Sequence, residues 1–148
     1  MRKAYIFLFI LILSGCNRNL TVEPETYVLL YQKQSLLDSL VGTCSTFLIR
    51  TIILDTVNTV GYQKLQINLN AKTDGDLSSV EMFYYKGDSL KTLFSLNGIN
   101  QINNTTSVTS SSPEDKTQIF VRLKLYSSVC TGQLYYLKIR NVVINGIK

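Results

Sequence analysis

The sequence predicts an all-β protein, an antiparallel immunoglobulin-like β-sandwich of about seven strands. From residue 46 onward, apolar residues recur with a period of two, as in half-buried strands. Turn signals separate these segments every ~8–12 residues, which is typical of sandwiches and barrels. The apolar faces need a covering layer, which argues against a single open sheet. A small lipocalin-like barrel is the alternative, although the sequence offers fewer than the eight strong strands such a barrel needs.

The strands are predicted in chain order from these patterns. The segment 46–54 is apolar on both faces and β-branched, which predicts a central strand. The segment 62–70 alternates, with Leu65, Ile67 and Leu69 facing inward and Lys64, Gln66, Asn68 and Asn70 facing outward. Further strands are predicted at 79–86, 91–97, 101–109, 118–126, 133–140 and 142–144, of which 101–109 is a weak edge strand.

The segment 26–45, which leads into the sandwich at 46–148, fits two interpretations. Its apolar residues recur with a helical period up to Val41, and Gly42 would end such a helix. We therefore predict a short helix here. The alternative is two short strands broken at 32–34.

The most specific signal lies at the N-terminus. Arg2 and Lys3 precede an unbroken apolar run over 4–13, which has the length of a signal-peptide core and is too short to span a bilayer as a helix. Leu13-Ser14-Gly15-Cys16 follows directly. This tetrapeptide resembles the lipobox of bacterial lipoproteins, in which the cysteine is acylated and becomes the new N-terminus.

The resemblance implies an anchored protein of the cell envelope. Residues 1–15 would be removed as a signal peptide, Cys16 would carry diacylglyceryl and N-acyl (palmitate-type) chains, and 16–25 would form a lipidated tether. More than one acyl chain gives stable anchoring without a membrane-spanning segment. Asn17 stands where an aspartate would imply retention in the inner membrane, so we expect the outer membrane, with the protein facing either the periplasm or the surface. This plan resembles small lipoproteins of Gram-negative bacteria.

Two cysteines, Cys44 and Cys130, remain after Cys16 is assigned to the lipid. An even number in an oxidising compartment predicts a disulfide bond. Closing so long a loop is worth about 4–5 kcal/mol in the chain-entropy model. The alternative is a pair of buried free thiols that behave as small apolar side chains.

Several catalytic classes are excluded by composition. The chain contains no His and no Trp, so it can form neither a Ser-His-Asp nor a Cys-His nucleophile system, nor a His-ligated metal site. It has no phosphate-binding glycine loop. Asp74 and Asp76 flank Gly75 with oxygens that calcium could use, but this pattern is far more typical of a turn. We expect no metal, no cofactor and no enzymatic activity.

The last two strong strands predict a ligand face of cationic and aromatic side chains. In a hairpin around 127–131, one register opposes Arg122 to Lys138, which is repulsive. The register with Arg122 opposite Tyr136 and Phe120 opposite Lys138 allows cation–π contacts and is the one predicted. The predicted face consists of Phe120, Arg122, Lys124, Tyr126, Tyr136, Lys138 and Arg140. It suits an acidic glycan, a lipid phosphate or a protein partner, and the alternative is a solvated face that prevents aggregation.

A short pattern, Asp followed by Ser or Thr and an aliphatic residue, occurs three times. It resembles the acceptor motif of a bacterial O-glycosylation system for exported proteins. The resemblance implies sugars on Ser39, Thr56 and Ser89, where they would add bulk and solubility. Chance occurrence is the alternative.

These features predict a non-catalytic binding or structural lipoprotein, with the membrane as one partner through the anchor and a protein or glycan as another. Nucleic acid is not expected, since Arg2 and Lys3 supply part of a net charge of only +5. One alternative is a carbohydrate-binding module that uses Tyr and Phe rings as stacking platforms. Its candidate platforms are Phe83, Tyr85, Tyr126 and Tyr136. The other alternative is an inhibitor or immunity protein directed against an exported enzyme.

Overall fold

The computed structural model describes residues 24–99 and 104–148. The predicted signal peptide, Cys16 and all but the last two residues of the predicted tether lie outside them. The eight strands are β1 (Tyr27–Gly42), β2 (Leu48–Asn58), β3 (Lys64–Thr73), β4 (Ser78–Lys86), β5 (Ser89–Ile99), β6 (Asn104–Ser111), β7 (Lys116–Leu125) and β8 (Tyr135–Ile147). Within these residues, no helix has the length and apolar character to span a membrane.

The strands form two antiparallel sheets of four. The front sheet has the order β1-β8-β3-β6 and the back sheet the order β2-β7-β4-β5. The predicted antiparallel β-sandwich is confirmed, with eight strands in place of about seven. Only β4 and β5 are neighbours both in sequence and in a sheet, and every other connection crosses between sheets. This is the order of a jelly roll, which differs from the strand order of an immunoglobulin domain.

The core lies between the two sheets. Leu65, Ile67 and Leu69 of β3 are buried, as their alternation predicts. Beside them in the front sheet lie Leu137, Ile139 and Ile144 of β8, and the facing back sheet contributes Ile119, Val121, Leu123 and Leu125 of β7, each at most 1% exposed. Burial of each such side chain contributes about 1.5–3 kcal/mol relative to exposure, so this core supplies the main stabilisation of the fold.

The predicted helix at 26–45 is wrong. Residues Tyr27–Gly42 form β1, which pairs with β8 along its length and makes the sandwich begin before residue 46. The pairing has register shifts at Leu29/Tyr31, Lys33/Leu36 and Leu36/Asp38. Bulges of this kind insert extra residues into a strand. Successive apolar residues of β1 are therefore more than two positions apart in places, and this spacing resembles the period of a helix.

Two other strands differ from their predicted form. The segment predicted as a central strand at 46–54 is β2, an edge strand that pairs only with β7. Apolar residues on both faces of this segment predicted burial on both faces. The outward Ile49 and Ile53 are instead 54% and 58% exposed. The two segments predicted at the C-terminal end form one strand, β8. Asn141 interrupts their alternation because its φ of 53° is in the left-handed region.

The two ends of the sandwich differ. At the disulfide end, Cys44 between β1 and β2 is bonded to Cys130 between β7 and β8, with their Cα atoms 5.2 Å apart. Ser45 N donates to Ser127 O (2.8 Å) beside this bond. At the opposite, terminal end, Lys148 N donates to Thr26 O (3.1 Å). The predicted disulfide thus joins the two sheets at the end farther from the first described residues.

Candidate functional site

The predicted ligand face is divided between the two sheets. β7 belongs to the back sheet and β8 to the front sheet, so the predicted hairpin around 127–131 and its register are wrong. Arg122 lies opposite Glu81 and Thr51, not Tyr136, and Lys138 lies opposite Ser39 and Lys72, not Phe120. The connection crosses the sandwich. Alternation along a strand is the same for a crossing connection and a hairpin, which is why the sequence pattern did not distinguish them.

On the back sheet, the predicted site residues form a closed aromatic cluster. The Phe83 and Phe120 rings are stacked with centroids 5.4 Å apart, and Tyr85 meets both rings edge-on. The Arg122 guanidinium carbon lies 4.6 Å from the Phe83 centroid, and Arg122 Nη1 is 3.2 Å from Glu81 Oε2. Phe83 is only 1% exposed as a result. Phe83 is thus covered by its neighbours, and Tyr85, at 47%, is the exposed ring of the cluster.

The remaining back-sheet residues of the predicted face lie toward the disulfide end. Tyr126 packs against Phe47 with ring centroids 6.2 Å apart. Lys124 is half-buried between Ile49 and Ser79 of the neighbouring strands. The sandwich core separates both from the front sheet, so they cannot share a ligand site with β8.

On the front sheet, the predicted residues of β8 line a groove. Tyr136, Lys138 and Arg140 from β8, with Asn70 and Lys72 from β3, enclose a volume of about 260 Å³. These five residues are called the front groove. Lys72 lies directly opposite Lys138, and Asn70 lies directly opposite Arg140. The groove therefore results from two neighbouring strands whose polar side chains share the outer face.

Asn70 and Lys72 were not among the predicted site residues. The predicted strand ended at Asn70, so the alternation was not followed to Lys72. Its continuation through buried Ala71 and Thr73 would have placed Lys72 on the outer face. The pairing of β3 with β8 joins residues far apart in sequence, and the strand pattern contains no signal for it.

The front groove has an uncompensated positive charge. Like charges directly opposite each other in a sheet are destabilising, yet Lys72 and Lys138 form such a pair. Within residues 24–99 and 104–148, the ion pairs are Arg50–Asp38 and Arg122–Glu81, neither of which involves the groove. The Lys138 Nζ atom lies 4.8 Å from the centroid of Tyr136. Three cations that line one groove, one of them over an aromatic ring, form a site that attracts an anion.

The groove is held rigid by hydrogen bonds at the Tyr136 backbone. Tyr136 N donates to Asp74 Oδ1 (2.6 Å), and Tyr136 O accepts from Thr73 Oγ1 (2.6 Å). Gly75 N donates to Thr73 Oγ1 (3.0 Å), which extends the network into the turn between β3 and β4. These bonds fix the start of β8 against the end of β3, and therefore position the Tyr136 ring and Lys138.

Asp76, the second carboxylate of this turn, binds the loop between β7 and β8 through Ser128. Asp76 Oδ1 accepts from Ser128 N (2.8 Å), and its other oxygen accepts from Ser128 Oγ. These bonds stabilise the charged form and lower the pKa of Asp76 below its ordinary value. Among the described residues, no three His, Cys, Asp or Glu side chains form a group suited to a metal ion. Asp74 and Asp76 connect chain segments around the groove.

The three serine and threonine positions of the predicted glycosylation pattern differ in exposure. Ser89 is exposed where β5 begins, and Thr56 is exposed on β2 next to a register shift. Ser39 is half-buried on β1, and its N–H donates to Asp38 Oδ1 (2.7 Å). The predicted lipid-bearing Cys16 lies outside the described residues.

No protein-family model and no curated protein matches this chain. Among solved structures, it is similar to CBM4, with 9% identity over 81% of this chain and 94% of that chain and a TM-score of 0.46. It is also similar to a mutant of a carbohydrate-binding module of family 29 (11% identity, 82% and 92%, TM-score 0.41). A third is the module CBM36 in complex with calcium and xylotriose (13% identity, 83% and 99%, TM-score 0.37). Similarity at this level identifies no ligand for this chain.

Proposed function

We propose that this chain is a non-catalytic, lipid-anchored protein of the cell envelope whose front groove binds an acidic carbohydrate. The observation that carries the proposal is the set of three cations, Lys72, Lys138 and Arg140, which lack ion-pair partners in the described part of the chain and line one groove with Tyr136. Retaining such a set has an electrostatic cost. Binding of an anion would remove this cost.

The other groups of the groove favour a sugar over a simple anion. The Tyr136 ring offers an apolar face on which a pyranose can pack. The Asn70 side-chain amide offers both donors and an acceptor for hydroxyl groups. Lysine and arginine form strong charge-assisted hydrogen bonds with a carboxylate. A uronic acid combines these three features in one residue.

The position of the groove favours a glycan over the phosphates of the anchoring membrane. Tyr136 lies near the start of β8, whereas Ile147 ends the same strand beside Thr26 at the terminal end. From Tyr136 to Ile147 the strand rises by roughly 35 Å at about 3.3 Å per residue. A tether at 16–25 would attach the terminal end to the membrane, so Tyr136 would lie toward the far end of the sandwich.

The composition of the groove supports a non-catalytic role. Its lining contains no carboxylate and no nucleophilic cysteine or serine, and the chain has no His. General acid–base catalysis on a glycoside needs a pair of carboxylates. The nearest carboxylate in sequence, Asp74, is engaged by the backbone N–H of Tyr136.

Binding is tested by isothermal titration calorimetry on the full chain in detergent, with glucuronic acid-containing oligosaccharides and neutral oligosaccharides of equal length. We expect binding of the acidic sugars only, and a loss of about tenfold or more for Lys72→Ala and for Lys138→Ala, equivalent to about 1.4 kcal/mol. Lys124→Ala, on the back sheet, is the matched control and should bind normally. Equal binding of neutral sugars, or an equal loss with Lys124→Ala, would overturn the proposal.

Anchoring is tested separately in a Gram-negative host by metabolic labelling with an alkyne fatty acid. We expect label on the chain, removal of residues 1–15, and loss of both in Cys16→Ser. Cys44→Ser is the matched control and should keep the label, because its sulfur belongs to the disulfide. Unlabelled chain that begins at Met1 and lies in the cytosol would contradict the anchoring proposal.

A further inference from the structure

The outer face of the front sheet continues from the groove toward the terminal end as a row of amides. From Asn70 toward the terminal end, the next outward residues of β3 are Asn68 and then Gln66. Asn145 of β8 lies opposite Gln66. Asn145 Nδ2 donates to Gln66 Oε1 (3.2 Å), and Asn68 Nδ2 lies 3.4 Å from the same oxygen. Asn68, Gln66 and Asn145 are called the amide track. All three are half-buried, so they are held in place yet reach the surface.

The edge strand beside the track adds hydroxyl groups. Thr105, Ser107 and Thr109 of β6 lie opposite Asn70, Asn68 and Gln66 and are exposed. Asn70 Nδ2 donates to Thr105 Oγ1 (3.1 Å). This side of the sheet is therefore covered by neutral groups that both donate and accept hydrogen bonds.

The charges along β3 on this face lie at its two ends, with the groove at one end and exposed Lys64, the next outward residue after Gln66, at the other. The groove holds Lys72, Lys138 and Arg140, whereas no track position carries a charge. From Lys72 to Gln66, β3 rises by about 20 Å at ~3.3 Å per residue. A ligand that lies along β3 from the groove as far as Gln66 would meet cations at the groove and amides along the rest of its length, and would end before Lys64.

The track also keeps unused hydrogen-bonding capacity. Gln66 Oε1 is close to both neighbouring amides, and no protein acceptor engages Gln66 Nε2 among the described residues. A half-buried amide nitrogen with two free donors suits sugar hydroxyls, which accept and donate in turn. To a second carboxylate, the Gln66 amide could donate only hydrogen bonds from a neutral group. Such bonds are about half as strong as those donated by lysine or arginine.

We propose that the ligand is an oligosaccharide with a single acidic sugar, whose acid occupies the front groove while its neutral sugars lie along the amide track. This inference rests on the proposed function and specifies its ligand. A polyanion with a charge on every sugar would place its further carboxylates over uncharged amides. Between the groove and Lys64, the distribution of charge along β3 is therefore complementary to one acid followed by neutral residues.

The test uses two series of probes of equal length on the full chain in detergent, measured by isothermal titration calorimetry. The first series is the aldouronic acids, which carry one glucuronic acid on a neutral xylose chain of one to four residues. The second is the oligogalacturonides, which carry a charge on every residue. We expect affinity to rise about tenfold along the first series as neutral sugars are added, and to rise little along the second.

Substitutions on the track separate the two proposals. Gln66→Ala and Asn68→Ala should remove the gain with chain length and leave the affinity for the shortest aldouronic acid unchanged. Asn97→Ala, an exposed amide on the back sheet, is the matched control and should change neither. Thermal unfolding of each variant verifies that it is folded.

The outcomes are distinguishable. If the shortest acid binds through Lys72 and Lys138 but added neutral sugars or the track substitutions have no effect, this inference is wrong and the proposed function stands. Tighter binding of the oligogalacturonides at equal length would also overturn it. If neither series binds to the folded chain, the proposed function fails together with the inference.

Discussion

Lys72 and Lys138 lie directly opposite each other on neighbouring strands of the front sheet. Neither has an ion-pair partner within the described residues. Their side chains lie on the same outer face. The two positive charges therefore repel each other, whereas opposite charges at these positions would attract. The pair is unfavourable for the stability of the sheet, and it lines the groove to which the proposed function assigns binding.

The substitution Lys72→Glu should therefore stabilise the protein. It converts a repulsive cross-strand pair into an attractive one, with an expected gain of about 0.2–1 kcal/mol in the free energy of unfolding. Urea denaturation measures the gain, and high salt should reduce it. Lys64→Glu is the matched control with the same change in net charge, since Lys64 lies opposite Ser111 and Ile147. An equal gain from Lys64→Glu would show that net charge, not the pair, is responsible.

The substitution Gly75→Ala should destabilise the protein by about 1–3 kcal/mol, as overpacking does. An added Cβ would lie 2.7 Å from both Ser78 Oγ and Tyr126 O, and a backbone oxygen cannot move aside as a flexible side chain can. Thermal unfolding measures the effect. Leu77→Ala, in the same turn and 60% exposed, should change stability by less than about 0.5 kcal/mol. A wild-type melting temperature for Gly75→Ala would contradict the packing around this turn.

Asp76 should make stability depend on pH. Its hydrogen bonds with Ser128 lower its pKa in the folded chain, so its contribution is present above the ordinary aspartate pKa of about 3.9 and is lost as the pH falls through the folded pKa. The difference in melting temperature between the wild type and Asp76→Asn should therefore be present at neutral pH and disappear in acid. Asp88→Asn, in the exposed turn between β4 and β5, is the control. A difference that persists unchanged in strong acid would show that the charge of Asp76 plays no part.

The bond between Cys44 and Cys130 closes a segment with a sequence separation of 86 residues. The double variant Cys44→Ala/Cys130→Ala should lose about 2–5 kcal/mol of stability, measured by urea denaturation. Cys130 is exposed, so a small reductant should reach the bond in the folded protein. Two thiols that react with a thiol reagent in untreated protein would contradict the disulfide.

Glycosylation at the three predicted positions should follow their exposure. In protein isolated from its native host, we expect the modification to be more complete at Ser89 and Thr56 than at Ser39, because only Ser39 is half-buried in a paired strand. Intact-mass and peptide mass spectrometry measure the occupancy. Unmodified Ser39, Thr56 and Ser89 would show that the pattern has arisen by chance.

The sequence was informative where strands are regular. In β3 and β7, strict alternation identified the inward residues, such as Leu65 and Leu123, because one face of each strand is buried. In β1 the alternation is broken by three register shifts, and a pattern method that assumes unbroken elements interprets the result as a helix. A bulge depends on the partner strand, which the local sequence does not specify.

The candidate site was only half predictable for a related reason. Alternation shows that Arg122 and Lys138 each face outward from their strands, but not which sheet each strand joins. Tyr136, Lys138 and Arg140 were identified from β8 alone. Lys72 joins them through the pairing of β3 with β8, a contact between distant segments that no local pattern records.

The pairing of β1 with β8 has a consequence for the order of folding. Among the eight described strands, β1 pairs with β8 alone, and β8 lies between β1 and β3 in the front sheet. β1, the first of the described strands to be synthesised, therefore lacks its pairing partner until β8, the last of them, has been synthesised. Such non-local topology slows folding and prolongs the exposure of unpaired strand edges. The front sheet, which carries the groove, therefore cannot assemble fully until β8 has been synthesised.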